Sequence, residues 1–186
     1  QEAERLIASG AHVIQLRPLS KAPAGDNWPD RPLDKLPAAG ESFGIVLGAS
    51  GLASVDLDDE LPAREGLKRL GIDFDALVRA GVRTLSTRPG SGGRITFAVP
   101  EGANLSRHVF RVGGRGVLEL RAGRCQDAVP PITYAGADGE IYEQSYANGK
   151  RLTDAPPMPA DLLELWQKCD ADSGYFRQMQ DIFDPD

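Results

Sequence analysis

The most constraining feature of this chain is a short alternating run that ends in two carboxylates. In Gly48-Ala-Ser-Gly-Leu-Ala-Ser-Val-Asp-Leu-Asp-Asp59, Val55 and Leu57 alternate with Asp56 and Asp58. Side chains on a strand point to opposite faces in turn, so Val55 and Leu57 face a core while Asp56 and Asp58 share the other face, about 7 Å apart. Such a strand belongs in a sheet with one face packed and one face charged, and the charged face can hold a metal. Gly44-Ile-Val-Leu-Gly48 reads as a buried strand entering a turn, with the segment around Val55 as its hairpin partner. A solvated strand end with a carboxylate in the following turn would show the same Asp-x-Asp.

Two further segments favour the metal-binding face. Arg83 to Pro100 reads as strand, glycine-rich loop, strand; alternation sets Arg94, Thr96 and Ala98 on one face and Ile95, Phe97 and Val99 on the other. Gly90, Gly92 and Gly93 would let the backbone approach a ligand and aim N–H groups at a phosphate, although a plain hairpin turn needs glycines too. In Gly116-Val-Leu-Glu-Leu-Arg-Ala-Gly123, Leu118 and Leu120 form the buried side, and Val117, Glu119 and Arg121 share the opposite one. Glu119 is then a candidate third carboxylate, unless it and Arg121 merely balance each other on a wet strand. Three carboxylates on adjacent strands, flanked by arginines and a glycine loop, are what metal-assisted phosphoryl or nucleotidyl transfer requires.

In motif order the chain resembles the bifunctional DNA primase/polymerase domain of the archaeo-eukaryotic primase superfamily, found in replication proteins of phages and plasmids. The likeness runs from about Ala8 to Gln144. It opens with His12-Val-Ile-Gln-Leu-Arg-Pro-Leu-Ser-Lys-Ala-Pro23 and Asn27-Trp28-Pro29, similar to that family's first strand, lysine-proline turn and tryptophan element. Phe43 to Asp58 resembles its first catalytic motif, with Asp56 and Asp58 on the two acids. Ser91 to Pro100 resembles the second, with Arg94 where the family usually carries a nucleotide-contacting histidine. Leu118 to Gly123 resembles the third, with Glu119 where Asp is commoner. Gln126 to Tyr134 and Asp138 to Tyr142 are similar to its Pro-Pro-Ser-x-His and Gly-x-x-Tyr segment, with Tyr134 in place of that histidine. Arginine can bind phosphate bidentately but cannot give up a proton near neutral pH.

Composition fits one modest domain: 186 residues, 41% hydrophobic and 26% charged, with no apolar run near membrane-spanning length. Cys125 and Cys169 lie far apart, which suggests a reducing compartment and no zinc site. The net charge is −6, which opposes nucleic-acid binding until its distribution is considered. Between Gly81 and Cys125, eight arginines face two acids, a local +6 that leaves −12 for the remainder. A basic surface around the acidic strands is therefore expected, with negative charge held elsewhere, including an acidic tail from Asp170.

Along the chain, Glu2 to Ala8 reads as a helix end and His12 to Arg17 as a strand. Pro18 to Gly40, with five prolines, reads as a long loop carrying Lys21 and Trp28. Helices are expected over Pro62 to Leu70, Phe74 to Ala80 and Ala160 to Lys168, the first two covering one side of the sheet. Glu101 to Gly116 reads as a loop in which Arg107 and His108 are exposed or contact DNA. Residues 1–155 form the expected catalytic domain, and 156–186 a C-terminal helix and acidic tail leading toward a linker. The chain opens on Gln1 with no signal-peptide pattern, as a fragment of a larger protein would.

The expected fold is α+β, a mostly antiparallel sheet with helices behind it. The resemblance implies an RRM-like catalytic module plus an N-terminal α/β portion. It also implies template-directed nucleotidyl transfer with two Mg²⁺ or Mn²⁺ ions on Asp56, Asp58 and Glu119. Nucleotide phosphates would be gripped by Ser91, Gly92, Gly93, Arg94 and Arg121, and single-stranded DNA by Lys21, Arg88, Arg107 and His108. A dNTP or NTP is the expected second substrate, and a helicase domain on the same polypeptide the expected partner, in a bacterial host cytosol with no membrane. Two alternatives stay open: a catalytically impaired nucleic-acid-binding module, and a metal-dependent phosphodiesterase.

Overall fold

The computed structural model describes residues 2–33, 38 and 41–185; six positions of the expected Pro18 to Gly40 loop (34–37, 39 and 40) lie outside that set. Helix α1 (Glu2–Ala8) leads into β1 (Val13–Gln15), which pairs with β2 (Phe43–Val46), itself paired with β8 (Gln126–Ala128) in a three-stranded antiparallel sheet. The remaining strands are β3 (Leu52–Leu57), β4 (Val82–Ser86), β5 (Gly93–Ala98), β6 (His108–Val112), β7 (Arg115–Arg121), β9 (Ile132–Ala135) and β10 (Ile141–Tyr146). They form a seven-stranded sheet in the order β6-β7-β3-β5-β4-β10-β9, every pair antiparallel. The fold is α+β, as the sequence predicts.

One face of the large sheet is covered by α2 (Glu60–Arg69), α3 (Phe74–Ala80), α4 (Ala160–Ala171) and α5 (Ser173–Phe183). The alternating residues Val55, Leu57, Ile95, Phe97, Leu118 and Leu120 meet Ala63, Leu67, Leu77, Leu162 and Trp166 there in the main core. The three-stranded sheet packs on the other face near one end, where Leu52 and Val82 join Val13, Ile45 and Leu47.

Four local expectations are corrected. β2 and β3 are not hairpin partners: the 3₁₀ turn Gly48–Ser50 carries the chain from the small sheet to the large one, and Gly48 packs against the Gly123 backbone, where a Cβ would come within 2.7 Å. The loop expected from Glu101 contains edge strand β6, whose Phe110 is buried in the main core. Val117 is buried with Leu118, because the register shifts by one residue between the pairs Phe110–Leu118 and Arg111–Gly116, and such a bulge re-aims a side chain. The acidic stretch expected as a tail forms α5, capped by Asp172 and closed by Phe183, whose buried ring lies where a Cβ on Gly66 of α2 would be, 2.2 Å away.

Candidate active site

Register places the acids. Asp56 on β3 is paired with Glu119 on β7 and with Arg94 on β5, so one level of the sheet carries Glu119, Asp56 and Arg94 side by side. Directly opposed residues project to the same face with Cβ atoms about 4.5–5.5 Å apart. One step along, Ser54 lies between Arg121 and Thr96. All of these face away from the helices.

A residue of the small sheet ties this face together. Asp127 on β8 is buried and accepts from Ser54 Oγ at 2.6 Å, Arg94 Nη1 at 2.8 Å and Arg121 Nε at 3.0 Å. Burial would raise its pKa, but the two guanidinium groups and the Ser54 hydroxyl outweigh that and hold the carboxyl below its usual range. Arg94 is only 5% exposed, and its Nη2 donates to the Ala128 carbonyl at 2.9 Å and Gln144 Oε1 at 3.1 Å. Its guanidinium is thus engaged inside the protein, beneath the face expected to use it on phosphate.

The three expected acids differ in their compensation. Burial pushes Asp56 up to about 6, with Asp127 and Asp58 adding to the rise against the opposing pull of Arg94 and Arg121. Among the described residues its one ion-pair contact is Arg121 Nε at 4.0 Å. Asp58, just past the end of β3, accepts from Arg88 Nη2 at 2.9 Å. Glu119 accepts from Arg107 Nη2 at 2.5 Å and Arg121 Nη1 at 2.8 Å, and these bonds overcome the effect of burial to keep it ionised below the ordinary range. Among the described residues no three His, Cys, Asp or Glu side chains are arranged to hold a metal ion. Oxygen-only donors suit Mg²⁺ or Mn²⁺, and the poorly compensated Asp56 suits a cation. Asp58 and Glu119 fit in chemistry while their oxygens are engaged by arginines.

The glycine loop is arranged as a turn. Ser91 N–H donates to the Arg88 carbonyl, Gly92 N–H to Leu57 and Gly93 N–H to Ser91 Oγ, so these donors are not aimed at a ligand as expected. Gly93 has φ +71° and passes so close to the Thr84 carbonyl that a Cβ would clash with it. Lys21 lies 4.3 Å over the Tyr134 ring, and its pKa is lowered by burial and by Arg94 and Arg88. Tyr134 Oη bonds Ser86 Oγ at 2.7 Å. His108, expected to be exposed or to contact DNA, has its ring between β6 and the C-terminal helices. It pairs with Leu120 on the helix-facing side, bonds Asp170 of α4 at 2.7 Å and packs on Phe176 of α5.

The family model for the bifunctional DNA primase/polymerase N-terminal domain matches residues 3–160, most of the chain. The chain belongs to that family. No curated protein matches it. Membership implies DNA primase/polymerase activity of the nucleotidyltransferase type, with DNA and nucleotides as substrates. The matched stretch runs from α1 to the start of α4 and includes every residue of the charged face described above. No helix among the described residues of this primase/polymerase domain is long and apolar enough to cross a membrane. Sequence reasoning missed Asp127 and Gln144. A signal for Asp127 existed: a lone carboxylate before Ala-Val-Pro-Pro needs a cationic partner if buried, and two arginines were already assigned to the facing side.

Proposed function

We propose that this domain carries out template-directed nucleotidyl transfer on single-stranded DNA, adding a dNTP or NTP to a primer or starting one. The reading rests on the row Glu119, Asp56, Arg94 across three adjacent strands, inside the stretch the family model matches. Asp56, Asp58 and Glu119 would hold two Mg²⁺ or Mn²⁺ ions, which when bound supply Lewis acidity at the 3′-hydroxyl and charge neutralisation at the triphosphate. The protein's own groups do the remainder. Asp127 fixes Arg94 and Arg121 beneath the acids, so the positive charge there is preorganised. Arg88 and Arg107, both partly exposed, end on carboxylates that a cation would claim, and either can turn to a phosphate once displaced. The proposal extends, on the resemblance alone, to replication of a mobile element in a bacterial host cytosol with a helicase domain on the same polypeptide.

A second reading has its own support. Asp58 and Glu119 are ion-paired, and by the resemblance Arg94 and Tyr134 stand where the family carries histidines, as in a module that binds DNA without extending it. Primer extension with a labelled primer–template, dNTPs and Mn²⁺ separates the readings. Lengthened products support nucleotidyl transfer, binding without extension supports the module, and shortened strands would mark a phosphodiesterase. The last would need a water-activating base, and His108 faces the helices instead.

A further inference from the structure

The family match stops at residue 160, and α4 does not. In its last turn Asp170, 14% exposed, takes the Ser106 N–H on both carboxylate oxygens at 3.2 Å and shares a 2.7 Å hydrogen bond with His108 Nε2. One turn earlier the fully buried Trp166 donates from Nε1 to the Ser106 carbonyl at 2.8 Å. One helix therefore holds both backbone groups of Ser106 and the ring of His108, the two neighbours of Arg107.

Alternation gives this grip its consequence. With His108 turned to the helices, Arg107 projects to the opposite face, where its Nη2 and Nε reach Glu119 Oε1 at 2.5 Å and Oε2 at 3.3 Å. The Arg107 side chain is 52% exposed. An ion pair that exposed is ordinarily worth little, because ordering a long side chain offsets the attraction; a backbone already fixed on both sides reduces that cost. The other arginine on Glu119 is anchored independently, since Arg121 Nε donates to Asp127 at 3.0 Å and its Nη2 to the Gln126 carbonyl at 2.7 Å. Arg107 is thus the partner of Glu119 whose hold depends on α4. The far end of β6 has its own supports: Gln180 of α5 bonds both backbone groups of Arg111, at 2.8 and 2.9 Å, and Asp184 accepts the Gly113 N–H at 2.9 Å. Loss of Asp170 would loosen residues 106–108 and leave the strand in place.

We infer that Asp170, with Trp166 beside it, is a positioning residue: through Ser106 and His108 it holds Arg107 across both oxygens of Glu119, and so sets how readily Glu119 opens to a divalent cation. This rests on the nucleotidyl-transfer reading for the cation and on the α4 contacts alone for the clamp. Two measurements keep these apart, hydrogen exchange of the Arg107 Nε–H by nuclear magnetic resonance without metal, and Mn²⁺ titration by electron paramagnetic resonance. Both are run on wild type, Asp170→Ala, Asp170→Asn and the exposed control Gln167→Ala. The Mn²⁺ titration adds Arg107→Gln and its double variant with Asp170→Ala, and circular dichroism melting establishes that each protein is folded.

Arg107 Nε–H exchange should quicken at least about tenfold in Asp170→Ala and stay as in wild type in Gln167→Ala and in Asp170→Asn, which keeps an oxygen for the Ser106 N–H. Mn²⁺ binding should tighten about threefold in Asp170→Ala, and adding that change to Arg107→Gln should do nothing more. Removing a negative charge would by itself weaken cation binding, so the sign separates the clamp from a long-range field effect. The inference is overturned if Arg107 exchange is unchanged in Asp170→Ala, or if Asp170→Ala alters Mn²⁺ affinity equally with and without Arg107. Faster Arg107 exchange with Mn²⁺ affinity constant in every variant would remove Glu119 from the cation site and leave the clamp.

Discussion

The two faces of the seven-stranded sheet are ordered by different physics. On the helix side, Val55, Leu57, Ile95, Phe97, Leu118 and Leu120 are almost completely buried, each contributing about 1.5–3 kcal/mol through area removed from water. On the other side, Ser54, Asp56, Arg94, Glu119 and Arg121 occupy the alternate positions of the same strands, and burial there is tolerated because Asp127 and the arginines neutralise one another. Apolar packing and the charged network are thus carried by alternate residues of the same strands, separated by the two-residue period. Asp56 departs from that neutrality: it is the acid of the row whose charge the protein itself does not fully offset.

Mutations should tell the faces apart. Asp56→Asn should lower primer extension about a thousandfold, the several kcal/mol expected of lost cation-assisted stabilisation, without lowering the urea midpoint. A large loss of stability instead would mean Asp56 is structural. Asp127→Asn should destabilise the fold by about 3–5 kcal/mol in urea titration, because it leaves buried Arg94 under-compensated. A loss under about 1 kcal/mol would show that the charged face does not depend on that carboxylate. Phe183→Ala should cost about as much, ~3–5 kcal/mol, by emptying the space against Gly66, yet leave extension per folded molecule unchanged at low temperature. Arg107→Gln should tighten Mn²⁺ binding roughly tenfold in electron paramagnetic resonance titration, since it frees a Glu119 oxygen. Unchanged or weaker Mn²⁺ binding would mean Glu119 is not a ligand.

What the sequence revealed and what it withheld follow the same division. Alternation was enough to place Val55, Leu57, Ile95, Phe97, Leu118 and Leu120 inward, and Asp56, Glu119 and Arg94 on one opposite face, because a period of two is local. α3 spans Phe74–Ala80 as its glycine stop and apolar spacing predict. Partnerships set by long-range folding were not legible. Gly44 to Gly48 looks like a hairpin partner of Val55, yet which sheet it joins depends on β8, some 80 residues on. The acidic composition after Asp170 hid an amphipathic helix whose Phe183 finds its place on Gly66. Alternation turns Arg94 toward the acids, as the pairing with Asp56 bears out, but only tertiary structure shows that Asp127, Ala128 and Gln144 occupy its guanidinium.

The most direct measurement is anomalous diffraction from crystals grown with Mn²⁺ and a non-hydrolysable dNTP. A Mn²⁺ peak coordinated by Asp56, with Asp58 or Glu119 turned from its arginine to join it, is the predicted result. Manganese bound elsewhere, with Asp56 uncoordinated and both ion pairs intact, would contradict the assignment of this face to catalysis.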